Sequence, residues 1–286
     1  MTDPQAVLSI EDHDRGSAGM AYVYPVVSRR AGGVSVGINL NINNACNWRC
    51  IYCQVPDLKR GGPPPVDMTR LRNELYALLA DIVHGDFMTR HVPEGMRRLN
   101  DIALSGNGEP TSAQEFAEVV GLIGEALTDY GLRDTVKTVL ISNGSLMRKA
   151  YVQEGLEGIA ALGGEVWFKL DRASQVGMRT VNGTEVRPEQ VVANLKIAAG
   201  LCPTWIQTCL FALDGLPPSE GEVDAYLRLL GQLQSDGVPL RGVLLYGLAR
   251  PPLQPEAPRL SRLPEAWLIA FGGRIEAMGY ACKAFP

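Results

Sequence analysis

The chain has 286 residues, 46% of them apolar, with 27 Lys and Arg against 31 Asp and Glu for a formal charge of -4. That length suits one α/β domain of barrel size, and the mild acidity speaks against a protein that grips nucleic acid over a wide face, because phosphate binding needs clustered cations. No apolar run approaches the length of a membrane span, and Met1 to Arg15 lacks a basic stretch followed by an apolar one, so a cytoplasmic protein is expected.

In that reducing compartment six cysteines point to metal or redox chemistry rather than to a disulfide framework. The basic spots Ser28-Arg29-Arg30 and Met96-Arg97-Arg98 read as solvated surface. Residues 1–30 are expected to be an N-terminal segment packing on a barrel formed by residues 31–286.

Val34, Val36, Ile38, Leu40 and Ile42 alternate with Ser35, Gly37, Asn39 and Asn41, a period of two that predicts a strand running into a cysteine-rich loop. Leu71, Leu75, Leu78, Leu79 and Ile82 recur at helical spacing, and Asp101 to Ser105 reads as a short strand. A capping box at Ser112-Ala113-Gln114-Glu115 predicts the next helix, with Phe116, Val120, Ile123 and Leu127 on one face.

Further strands are expected at Val136 to Ser142, Glu165 to Leu170, Trp205 to Phe211 and Leu240 to Tyr246. Between and after them come helices near Met147 to Ala161, from Pro188, from Ser219 with Glu222 as a second capping box, and from Pro264 to Met278. Six strand-helix units in succession imply a parallel sheet with helices outside it. Six are fewer than the eight of a closed barrel, so the expectation is a partial (β/α)6 barrel with function on the loops after the strands.

The loop Cys46-Asn47-Trp48-Arg49-Cys50-Ile51-Tyr52-Cys53 has C-x3-C-x2-C spacing, which lets three thiolates converge from one short segment. A 4Fe-4S cluster usually takes four Cys ligands. Three leave one iron open for an exchangeable ligand, as a radical S-adenosylmethionine (SAM) enzyme requires. Other readings stay open: a structural zinc site, which needs a fourth ligand, a ferredoxin-like electron carrier, and three buried free cysteines clustered by chance.

The C-x3-C-x-aromatic-C motif after the first strand of a β/α protein, with Tyr52 at the aromatic position, resembles the signature of the radical SAM superfamily. Tyr24-Pro25-Val26-Val27-Ser28-Arg29-Arg30 and Val36-Gly37-Ile38-Asn39 are similar to its wyosine-synthase-like branch. The chain departs from that branch, since no Cys precedes Cys46 and residues 1–45 contain no Lys. The resemblance implies a partial barrel of the radical SAM type, a 4Fe-4S cluster on Cys46, Cys50 and Cys53, bound SAM, and an external one-electron donor such as flavodoxin or ferredoxin.

Ser105-Gly106-Asn107-Gly108-Glu109-Pro110 resembles the Gly-Gly-Glu motif of that superfamily, which would put Gly106, Gly108 and Glu109 at the methionine ammonium group of SAM. Ser142-Asn143-Gly144 resembles its ribose motif, which would put Ser142 and Asn143 at the ribose. Taken alone, both segments also read as glycine-containing turns.

Period two sets Trp167, Lys169 and Asp171 on one face of a strand. A Lys and an Asp facing a barrel interior are either a structural ion pair or catalytic. Gln207, Tyr246 and Arg250 are further candidates for the cavity. Cys202, Cys209 and Cys282 form a weak pattern for a second cluster, and His13, His84 and His91 have no partner at metal-ligand spacing. The expected reaction is hydrogen abstraction from a peptide, protein or small molecule, the alternatives being a tRNA- or RNA-modifying enzyme and a non-SAM iron-sulfur or zinc protein.

Overall fold

The computed structural model describes residues 8, 19–28 and 32–285. The first expected strand is β2, Gly33–Ile38, buried at every position. Its polar positions are covered because an antiparallel edge strand, β1 (Val23–Ser28), lies beside it and a parallel strand, β3 (Leu99–Leu104), lies on its other flank. Pro25 sits within β1, where an edge position spares it a ladder hydrogen bond.

The sheet continues through β4 (Lys137–Ser142), β5 (Glu165–Lys169), β6 (Thr204–Cys209), β7 (Leu240–Tyr246) and β8 (Cys282–Phe285). The order is strictly sequential from β1 to β8, and every pairing after the first is parallel. Strands β2 to β7 with their following helices are the six units of a partial (β/α)6 barrel. The two outermost strands, β1 and β8, do not pair with each other, so the barrel is open-sided.

The helices of eight or more described residues are α1 (Met68–Val83), α2 (Phe116–Asp129), α3 (Ala150–Ala161), α4 (Gln175–Asn182), α5 (Pro188–Leu201), α6 (Glu220–Ser235) and α7 (Glu265–Glu276). Leu71, Leu75, Leu78, Leu79 and Ile82 of α1 are buried as their spacing predicts. Pro188 is the first residue of α5, and the Ser219 hydroxyl accepts the Glu222 N–H at the start of α6.

Three expectations change. The box at Ser112 to Glu115 does not cap α2, because Pro110–Ser112 forms a separate 3-10 turn whose Ser112 hydroxyl donates to the Glu109 carbonyl at 2.5 Å. Only half of the second box forms, because the Glu222 carboxylate is taken by the Ser174 hydroxyl. The sequence periodicity does not predict helix α4, although Ser174 caps its start and Gly183, at φ 58°, ends it. No described helix is long and apolar enough to cross a membrane. Arg29, Arg30 and His13 lie outside the described residues.

Candidate active site at the carboxyl ends of the strands

One cavity of about 490 Å³ opens at the carboxyl ends of the parallel strands, a size that suits a cofactor with a small substrate. All three loop cysteines line it, together with Tyr52, Gly106, Gly108, Glu109, Asn143 and Lys169. Cys46, Cys50 and Cys53 are free thiols, half-buried. Burial pushes the Cys46 thiol up to about 11, with the Glu109 and Cys53 charges adding to it. Cys50 is pushed up to about 12 by burial and by Asp171.

Two donors face these sulfurs: the Trp48 N–H reaches Cys46 Sγ at 3.4 Å and Asn182 Nδ2 reaches Cys50 Sγ at 3.3 Å. Hydrogen bonds of this kind favour anionic, metal-bound sulfur. Among the described residues no three His, Cys, Asp or Glu side chains gather tightly enough for a single metal ion. A four-iron cluster asks for less convergence, because each thiolate takes its own iron. Three thiols in one loop, with donors at two of them, fit that donor set.

The cysteine loop is held from three sides. Helix α4 accepts the Arg49 and Ile51 N–H groups on the Asn182 and Val181 carbonyls at 3.1 and 2.9 Å. After β7, the Leu253 N–H donates to the Cys53 carbonyl at 2.9 Å, and Gln254 Nε2 donates to the Val55 carbonyl at 2.9 Å. Arg49 also makes a two-pronged ion pair with Glu256, both bonds 2.9 Å. Below the loop, the buried Asp171 carboxylate accepts the Tyr52 hydroxyl, Asn182 Nδ2 at 2.6 Å and the Cys209 N–H at 2.8 Å.

Asp171 is therefore absent from the cavity wall and positions the loop instead. Strand β5 ends at Lys169, so the alternation that put Asp171 beside Lys169 stops short of it. Nor do the two form the ion pair considered from the sequence: Lys169 Nζ donates to the Tyr246 hydroxyl at 2.8 Å and lies 5.1 Å from the Tyr52 ring centre. Burial opposes the Lys169 charge, yet Tyr246 and Asp171 more than offset it and hold the group above its ordinary value.

The glycine turn owes its composition first to the chain itself. A side-chain carbon on Gly106, at φ 153°, would lie 2.3 Å from Asn39 Oδ1, and one on Gly108 would lie 2.2 Å from the Ala45 carbonyl oxygen. The two glycines let this turn press against the segment that leads into Cys46. Asn39 Oδ1 accepts the Asn107 N–H at 2.9 Å, and Asn107 Nδ2 donates to Asn44 Oδ1 at 2.6 Å.

Glu109 is 2% exposed, and its carboxylate is already committed. Oε1 accepts the Thr111 hydroxyl and the Ser142 hydroxyl, both at 2.7 Å, and Oε2 accepts the Asn143 N–H at 2.6 Å. Burial raises its pKa, opposed by these hydrogen bonds. Ser142 is fully buried on the outer face of β4, because Ile141 takes the cavity-facing position. Its hydroxyl accepts the Gly144 N–H at 2.9 Å as well as donating to Glu109. Ser142 thus supports the turn, and Asn143 is the residue of this pair that lines the cavity.

Gln207, Tyr246 and Arg250 line the same cavity, and so does Cys209. Cys202 and Cys209 are separated by the length of β6, about 20 Å, and Cys282 begins β8 on the far side of β7, so the three do not meet. Asn39 and Asn107 stand in the sequence motifs without a role of their own, and Asn182 carries no motif at all. Asn182 falls in the unanticipated helix α4, whose cap Ser174 and terminal Gly183 were the available signal.

No family model matches the chain. It is 25% identical over 224 residues to a GTPase Obg of Brachyspira hyodysenteriae, 76% of this chain and 29% of that protein. It is 27% identical over 138 residues to UPF0026 proteins from two strains of Helicobacter pylori, 46% of this chain and 38% of those. The chain thus spans well under half the length of these curated relatives. Among solved structures it is similar to a domain of pyruvate-formate lyase-activating enzyme from Bacteroides vulgatus, with TM-score 0.44 and 14% identity over 65% of this chain and 99% of that one. A cobalamin-dependent S-adenosylmethionine radical enzyme, OxsB, gives TM-score 0.44 and 16% identity over 68% of this chain and 26% of that one.

Proposed function

We propose that the chain is a radical SAM enzyme that takes a hydrogen atom from a peptide, protein or small molecule. The observation that carries this reading is the meeting, in one cavity, of three free cysteines from a single loop with the glycine turn and Asn143 from the two neighbouring strands. Cys46, Cys50 and Cys53 would hold a 4Fe-4S cluster, and the backbone of Gly106 and Gly108 with Asn143 would face SAM. When bound, the cluster and SAM together supply a 5'-deoxyadenosyl radical, given one electron from an external donor such as flavodoxin or ferredoxin.

The chain's own residues contribute positioning and exclusion of water. The Trp48 N–H and Asn182 Nδ2 favour anionic sulfur at Cys46 and Cys50. Glu109 holds the Asn143 backbone at the cavity wall, and Tyr52, Val55, Leu58, Leu248 and Phe285 close the remaining wall with apolar surface.

Neither the RNA reading nor a GTPase reading gains an observation. Arg97 and Arg98 precede β3, at the end of the barrel opposite the cavity, where Arg97 binds the Val92 carbonyl and Arg98 binds Asn100. The sequence contains no Gly-Lys pair, so the phosphate-binding loop of P-loop GTPases is not present in it.

Anaerobic reconstitution with iron and sulfide, followed by reduction, tests the assignment. The electron paramagnetic resonance signal of the reduced protein should change on addition of SAM, since SAM would occupy the open iron. A cluster whose signal ignores SAM would contradict the reading.

A further inference from the structure

On the side of the cavity built from β5, β6 and β7, the side chains of Lys169, Tyr246 and Cys209 are joined in a chain. Cys209 and Tyr246 are register partners at the carboxyl ends of β6 and β7, and both line the cavity. Strand alternation turns Cys209 inward, because the preceding Thr208 hydroxyl meets the Tyr226 hydroxyl of α6 at 2.6 Å on the outer face. Lys169 Nζ donates to the Tyr246 oxygen at 2.8 Å, which leaves the phenolic hydrogen for another acceptor. The Cys209 sulfur is hydrogen-bonded to that hydroxyl. Donors therefore run in one direction, from ammonium through phenol to sulfur.

Burial, with the Asp171 charge adding to it, holds the Cys209 thiol well above its ordinary value. The side chain is 1% exposed, so it is reached from the cavity and not from bulk water. A cysteine that serves packing alone needs no such chain behind it.

We propose that Cys209 is the hydrogen-atom donor of this cavity, giving its thiol hydrogen to a carbon radical formed there, with Tyr246 and Lys169 as positioning residues that return the proton. The proposal rests on the radical SAM reading for the origin of that radical. A thiol suits the task because its S–H bond is weaker than the C–H bond that forms. In the step the S–H bond breaks, a C–H bond forms, and an unpaired electron is left on the Cys209 sulfur. One electron from the external donor and one proton restore the thiol. Tyr246 passes its hydroxyl proton to the sulfur, Lys169 replaces it on the phenol oxygen, and water returns a proton to Lys169. The substrate loses one hydrogen atom and regains one, so substrate and product share one formula. The reaction class is accordingly an isomerisation, such as inversion at a carbon centre, with two electrons consumed for each SAM.

With SAM alone as the probe, the 5'-deoxyadenosyl group is itself the carbon radical in the cavity. The reconstituted full chain, exchanged into heavy water and given SAM and a strong reductant, should release deuterated 5'-deoxyadenosine, read by mass spectrometry. A thiol hydrogen exchanges with solvent, whereas hydrogens on carbon do not. Cys209→Ala should reduce the deuterium to background. Cys209→Ser should do the same, because it keeps the size and an exchangeable hydrogen but offers a stronger O–H bond. Iron content and unfolding midpoints close to wild type would show that both variants fold and load. On the metal-free chain, the infrared S–H band that Cys209→Ala removes should shift in Tyr246→Phe.

Unlabelled 5'-deoxyadenosine from the wild type, or equal label in wild type and both Cys209 variants, would overturn the donor while leaving SAM cleavage in place. Label that survives Cys209→Ala but vanishes in Tyr246→Phe would also overturn it, making the phenol the donor. An S–H band unmoved by Tyr246→Phe would remove Tyr246 and Lys169 from the chain. If the wild type forms no 5'-deoxyadenosine in either solvent, the radical SAM reading itself fails and the donor role falls with it.

Discussion

The two halves of the cavity are built in different ways. Around the cysteine loop, the turn at Gly106 and the segment at Asn143, polar groups are bound to one another: Glu109, Asn39, Asn107 and Ser142 all have protein partners. Across the cavity, Lys169 and Gln207 line the wall as cross-strand partners. The first half is a self-bonded frame that would present backbone and thiols to a cofactor, and the second lines the open cavity with fewer bonds among its own side chains. Substitutions should therefore cost the first half its architecture and the second only its binding.

The largest effect is expected at the ligands. Replacing Cys46, Cys50 or Cys53 by Ala should abolish the broad visible absorption of the reconstituted protein together with all SAM cleavage. A full cluster in any one variant would remove that residue from the ligand set.

Asp171→Ala should follow. It strands the Tyr52 hydroxyl, Asn182 Nδ2 and the Cys209 N–H in a buried site, which should lower unfolding free energy by about 3 kcal/mol or more. Iron should be lost faster as the loop loosens. By contrast, Lys169→Met should leave iron content unchanged, and equal iron loss in both variants would erase the distinction between the halves.

Glu109→Gln is a subtler break of the frame. The amide puts an NH2 in place of one of the carboxylate oxygens that accept from Thr111, Ser142 and Asn143, so that donor faces donor at a cost of roughly 1.5 to 3 kcal/mol. Displacement of Asn143 should lower SAM affinity about tenfold with the cluster intact. SAM affinity equal to wild type would show that Asn143 takes no part in holding SAM.

The smallest effect concerns the remaining cysteines. With Cys202, Cys209 and Cys282 on separate elements, the triple Ala variant should hold the same iron as wild type, about four atoms per chain, while losing some stability to packing defects. About eight irons in wild type, falling to four in the variant, would restore a two-cluster mechanism.

How much of this was legible in the sequence follows the same division. The strands and most helices could be read because burial imposes periods of two and 3.6, as in Leu71 to Ile82. The frame could be found because its parts are contiguous: Cys46 to Cys53, Ser105 to Pro110, Ser142 to Gly144. Individual roles within it could not, because neighbours along the chain point in opposite directions. Ser142 faces outward while Asn143 lines the cavity, and Asp171 turns under Tyr52 while Lys169 lines the wall. The pairing of Lys169 with Gln207 joins residues 38 apart and exists only through the register of β5 with β6. Helix α4 escaped because only eight residues separate its cap from Gly183, which is too few for a periodic stripe.

The most direct measurement is the formation of 5'-deoxyadenosine. The anaerobically reconstituted full chain, given SAM and a strong reductant, should release it, and the Cys50→Ala variant treated in the same way should release none. A reconstituted wild type that holds about four irons yet forms no 5'-deoxyadenosine would contradict the assignment of this cavity to radical SAM chemistry.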